Sequence, residues 1–98
     1  MSYLVFCTFD LKNATSQNYQ TAYSDLAALG LAKIQKSDNG GDAVIPTTSV
    51  MGIFNGASAI SVRDDMRNKV QAIFNARGFR SEIFVVVGGD WAWGAATT

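Results

Sequence analysis

Residues 2–11, SYLVFCTFDL, read as an extended chain with Tyr3, Val5, Cys7, Phe9 and Leu11 on one side and Leu4, Phe6, Thr8 and Asp10 on the other. The pattern predicts a first strand. The following KNATSQ segment offers Thr15 or Ser16 as an N-cap. A helix should then run with Tyr19, Ala22, Tyr23, Leu26 and Leu29 on its apolar stripe and Gly30 at its C-terminal turn. LAKIQK, residues 31–36, alternates and predicts a short strand. SDNGGDAVIPTT is the longest loop-like stretch; Asn39-Gly40 in it is a hairpin signal, with Gly41 and Pro46 leaving the hairpin's ends open. Residues 48–55, TSVMGIFN, read as a third strand ended by Gly56.

A second helix starts at Ser58 or Ser61, and Ser61 with Asp64 resembles a capping box with Asp in the usual Glu position. Val62, Met66, Val70, Ile73 and Phe74 form its stripe, and Gly78 follows its end. SEIFVVV, residues 81–87, is the last strand, left through a glycine pair into GGDWAWGAATT. The order βαββαβ predicts an α+β fold of ferredoxin-like type: one four-stranded antiparallel sheet with two helices on one face. Residues 1–87 would form that single domain and 88–98 a C-terminal tail.

Two helices cover one face of such a sheet, yet the strands are apolar on both. Leu4 and Phe6 in the first strand, and Phe84 and Val86 in the last, fall opposite the residues that face the helices. An antiparallel sheet with one wet face should alternate apolar with polar positions. The simplest cover for the second face is another copy of the chain. The expected homodimer interface therefore comprises Leu4, Phe6, Phe84 and Val86, with Trp91 and Trp93 of the tail packing across the seam. The alternative is a tail folded over its own sheet.

Composition narrows the chemistry. The 98 residues are 48% apolar, which excludes a disordered chain. One cysteine, Cys7, excludes an internal disulfide framework, and with no recognisable leader this points to a cytoplasmic setting. No apolar run approaches the roughly 18 residues that cross a bilayer, so no membrane partner is expected. Eight basic residues balance eight acidic ones, against nonspecific phosphate binding by bulk charge. The chain has no histidine, which removes His-activated nucleophiles, His general acids and bases, and nearly all zinc sites. A metal would need oxygen ligands, favouring Mg, Mn or Ca.

Asp10 carries the candidate chemistry. Either it ends a strand and contacts Lys12 or turn amides, or it meets its copy across a two-fold axis, where two carboxylates share a divalent cation able to activate water. Cys7, mid-strand with no histidine partner, reads as a small core residue. Asp64 and Asp65 complement the second helix's N-terminus, and Asp65–Lys69 is an i,i+4 pair. Arg63, Arg67, Lys69, Arg77 and Arg80 place five basic residues within eighteen positions. Arg77 and Arg80, flanking Gly78, are left free of those acids as candidate nucleic-acid contacts. VVVGGD lacks the spacing of a phosphate loop, and no motif calls for an organic cofactor. Tyr19 and Tyr23 read as part of the buried stripe.

SYLVFCTFDL, the helix ending LAALGLAKIQ and the strand TSVMGIFNG together resemble the CRISPR-associated Cas2 and VapD-like proteins. The resemblance spans about residues 2–87. It implies a ferredoxin-like homodimer whose C-terminal extension packs on the partner. It also implies metal-dependent cleavage, or binding, of RNA or DNA. The family's strand-ending aspartate maps onto Asp10 as metal ligand and catalytic residue, and its serine before Val onto Ser49. The chain departs from the family in its neutral charge and its long polar hairpin. The other expectation is a non-catalytic dimeric adaptor or regulatory, nucleic-acid-binding module of the same fold. RNA-recognition motifs share the topology, but TSVMGIFN lacks their basic residue and alternating aromatics.

Overall fold

The computed structural model describes residues 1–38 and 40–98. Its elements, in chain order, are β1 (Ser2–Leu11), α1 (Ser16–Leu29), β2 (Ile34–Lys36), β3 (Asp42–Val44), β4 (Ser49–Asn55), α2 (Ala59–Ala76) and β5 (Ser81–Gly88). The alternation in β1 does what its period dictates. Tyr3, Val5, Cys7, Phe9 and Leu11 are all buried against the helices, while Asp10 on the other side is exposed.

The chain is α+β, but its strands do not form one four-stranded sheet. A three-stranded antiparallel sheet has the order β4-β1-β5, and β2 with β3 makes a separate two-stranded hairpin. The predicted strand over 31–36 shrinks because α1 ends at Gly30, packed directly on the middle of β4. Gly30 adopts φ 112° and donates to the carbonyls of Leu26 and Ala27. From there the chain meets β4 at one place: Ala32 and Met51 exchange both backbone hydrogen bonds at 3.0 Å. Ile34 has already paired instead with Val44, and Gln35 with Ala43. Gln35 Nε2 donates to the carbonyls of Ala32 (2.8 Å) and Met51 (2.9 Å), and this side-chain clamp adds to the junction. Asn39 of the expected Asn39-Gly40 turn lies outside the described residues.

Both helices begin on reciprocal caps. Thr15 Oγ1 accepts from the Asn18 amide, and Asn18 Oδ1 accepts from the Thr15 amide. Ser58 and Ser61 do the same for α2, so the cap lies three residues before the expected Ser61–Asp64 box. Asp64 is instead occupied by Arg63. Val62, Met66, Val70 and Phe74 are buried as the stripe predicts, with Ile73 at the margin. Phe74 is the largest fully buried side chain and meets Phe9 at 5.3 Å between ring centres.

Cys7 is fully buried in this core, and the apolar surroundings push its thiol up to about 11. It is a neutral, packed thiol at physiological pH, as expected of a core residue and not of a nucleophile. Among the described residues no helix is long and apolar enough to cross a membrane.

Candidate functional site: the open sheet face and its acidic end

The register defines the face left bare by the helices. Leu4 pairs with Ile53 and Gly88, Phe6 with Met51 and Val86, Thr8 with Ser49 and Phe84, and Asp10 with Glu82. Directly opposed residues in an antiparallel pair share a face, so these form one surface. It is apolar through the middle and polar at the end where β1 leaves. Phe84 is 62% exposed, Val86 50% and Ile53 58%, while Leu4 and Phe6 are half-buried beside them.

Ile34 and Val44 extend this surface past β4. The bridge places Ala32 with Met51, Lys33 then turns to the helix side to sit 4.4 Å over the Tyr23 ring, and Ile34 returns to the open side. Both Ile34 and Val44 are more than half exposed. Trp91 and Trp93 are more than a third exposed, and the tail carrying them lines, with hairpin residues Lys36, Asp38, Asp42 and Val44, an open cleft of about 1040 Å³. Within one chain the tail thus lies beside its own hairpin.

At the polar end, Asp10 is not met by Lys12. Lys12 Nζ instead reaches Glu82 at 2.9 Å. Asp10 Oδ1 accepts from Tyr19 Oη at 3.1 Å. The same hydroxyl accepts from the Leu11 amide (3.1 Å) and stands 3.2 Å from the Leu11 carbonyl, so its single proton has two acceptors. Tyr19 is therefore part of the buried stripe, stacked on Phe9, and also the group that orients Asp10. Thr8 Oγ1 accepts from Ser49 Oγ at 3.3 Å and donates to the Thr48 carbonyl at 3.1 Å.

Thr48 holds φ at 66°, a costly conformation for a β-branched residue. Three bonds secure it: its amide donates to Tyr23 Oη, and its carbonyl accepts from the Phe9 amide and from Thr8. This strained corner starts β4 so that Ser49 lands opposite Thr8. The site therefore groups Thr8, Asp10, Ser49 and Glu82 at one end of the open face.

Glu82 was not singled out from the sequence. It lies seventy-two positions from Asp10, and only the β1–β5 register brings the two acids opposite each other. Arg77 and Arg80 do not act together. Arg77 makes a two-point contact with Asp25 of α1, at 2.9 and 3.0 Å, and is not a free cation. That contact holds the Asp25 carboxyl below its ordinary range. Arg80 lies on the other side of Gly78, at the start of β5. Its main-chain carbonyl accepts from the Lys12 amide at 2.8 Å, and its side chain has no ion pair among the described residues. Asp65–Lys69 forms as expected at 2.9 Å. The chain matches no known protein-family model and no curated protein.

Proposed function

We propose that the chain is one subunit of a ferredoxin-like homodimer of the Cas2 and VapD kind that hydrolyses phosphodiester bonds of RNA or DNA with Mg²⁺ or Mn²⁺ held at Asp10. The strand order supports the ferredoxin-like reading: β5-β1-β4 supplies three of its four positions, and Ala32 stands at the fourth. The observation that carries the proposal is the open face itself. The chain exposes 6264 Å², whereas a compact monomer of its mass exposes roughly 5,400 Å². The tail over 89–98 and the open sheet face both add exposed surface, and the sheet face is the apolar part that a homodimer interface would cover. Leu4, Phe6, Phe84 and Val86 form the centre of that interface, and Trp91 and Trp93 extend it.

The donor set at the polar end is all oxygen: the Asp10 carboxylate with the Thr8 and Ser49 hydroxyls near it on the same face. That chemistry suits a hard divalent cation that keeps several waters. One carboxylate per chain makes a weak site, and a second Asp10 from a partner completes it. Asp10 would hold the cation, which would supply Lewis acidity toward a phosphoryl oxygen and a water of lowered pKa. Tyr19 donates to Asp10 Oδ1, so Oδ2 is the oxygen that would be left to hold a cation.

A second reading has its own observation. Lys12 already neutralises Glu82, the nearest acid in register, so the end of the face also suits a non-catalytic dimer that binds nucleic acid. Asp10→Asn separates the two. Divalent-dependent cleavage of labelled RNA and DNA should fall to background in the variant, with the dimer mass unchanged. Cleavage equal to that of the parent refutes the catalytic role of Asp10. A parent that binds nucleic acid without cutting it establishes the second reading.

A further inference from the structure

Lys12, Arg67 and Arg80 line a cleft of about 470 Å³ between α2 and the start of β5, with Gln71, Asn75 and Ser81 as further hydrogen-bonding groups. Phe79 and Ile83, both half-buried, supply its apolar wall. None of the lining residues is acidic. The carboxylates that meet Lys12 and Arg67 lie outside the lining, so the cleft itself presents positive charge to a ligand. The larger cleft beside the tail differs in kind: Lys36 and Asp42 in its lining already pair with each other.

The chain's own acids reach the cations of the smaller cleft incompletely. Asp64 Oδ1 is held by Arg63 at 2.9 Å, and Arg67 stands off from the same oxygen at 3.6 Å. Lys12 has Glu82 at 2.9 Å, but both side chains are largely solvated, so the pair is weak and exchangeable. Arg80 has no ion pair among the described residues. The helix places Arg67, Gln71 and Asn75 at i, i+4 and i+8, in one row along the cleft. Guanidinium and amide donors in a row are suited to consecutive phosphate oxygens of an extended strand.

We infer that this cleft binds the phosphate backbone of a nucleic acid, with Arg80 and Arg67 as its principal contacts. It lies at the Asp10 end of the sheet, since Leu11 pairs with Ser81 and the Lys12 amide bonds to the Arg80 carbonyl. The cleft opens on the helix side of the sheet and Asp10 on the other side, at the same end. The inference shares with the proposed function only the class of partner; it requires neither the dimer nor cleavage.

The test is fluorescence anisotropy of the full chain with a labelled single-stranded 20-mer, as DNA and as RNA, across a salt series. Arg80→Gln should weaken binding about tenfold, the value of one charge-assisted contact, and Arg67→Gln by a similar factor. Each should also flatten the dependence of log affinity on log salt by about 0.7. Both residues are exposed, so the melting temperature should not move, and Arg80→Lys should recover part of the loss. Arg77→Gln, which breaks only the Asp25 pair, should leave binding unchanged. Unchanged affinity and slope in the Arg67/Arg80 double variant would overturn the site, as would an equal loss in Arg77→Gln. Binding of pyrophosphate with no binding of either 20-mer would overturn the backbone assignment in favour of a free small anion.

Discussion

Gly52→Ala should cost the fold about 3 kcal/mol or more, the upper part of the range for forced overpacking. Gly52 pairs with Val5, so a Cβ there would point to the helix side. It would stand 2.1 Å from the Gly30 carbonyl oxygen and 3.0 Å from Phe54 Cε2. The obstacle is backbone, and it is fixed backbone. Gly30 is bound to Leu26 and Ala27, and Leu31 bonds the Leu26 carbonyl as well. Room for one methyl group therefore requires the end of α1 to lift off β4. For a domain of this size, melting should drop by on the order of 15 °C. Gly88→Ala is the matched control, because a Cβ at Gly88 meets nothing within 4 Å. A Gly52→Ala melting temperature within a few degrees of the parent would show that α1 is not anchored on β4 in this way.

Phe84→Glu should turn a particle of twice 10.5 kDa into one of 10.5 kDa while leaving the fold intact. The phenyl ring is 62% exposed in the single chain, so a carboxylate there is solvated and costs the monomer little. At the centre of a sheet-to-sheet interface the same charge would be buried without a partner, at a cost of several kcal/mol per subunit. Light scattering at micromolar concentration reads the mass, and circular dichroism reads the fold. A parent of 10.5 kDa would end the dimer proposal, and so would a Phe84→Glu variant that remains twice that mass.

Local pattern carried most of the fold. The alternation of residues 2–11, the stripe of Val62, Met66, Val70 and Phe74, and Gly30 at the end of α1 are each set within a few residues of chain. Each appears where the sequence puts it. The strand at 31–36 fails for a reason no local pattern holds. Its length depends on how closely α1 docks on Gly52, and that contact joins positions twenty-two apart. The cap of α2 differs because Ser58 and Ser61 satisfy each other, which frees Asp64 to pair with its arginine neighbours.

The candidate site was legible in the same uneven way. Asp10 could be picked out as an acid at the end of an apolar strand. Tyr19 looked like one more stripe residue, because its hydroxyl partner is defined only once α1 packs on β1. Arg77 and Arg80 looked equivalent beside Gly78. The positive φ of 71° at that glycine sends the chain off the helix between them, one toward α1 and the other into β5.

The Ala32–Met51 junction divides the chain into two cooperative units. Releasing the β2–β3 hairpin from the sheet breaks the two Ala32–Met51 backbone hydrogen bonds and the Gln35–Met51 bond, each worth about 1 kcal/mol net. Global unfolding must also take apart the core around Phe74. The hairpin should therefore open at a free energy below that of the whole domain, which amide hydrogen exchange at residues 34–36 and 42–44 would read as faster exchange than in β1.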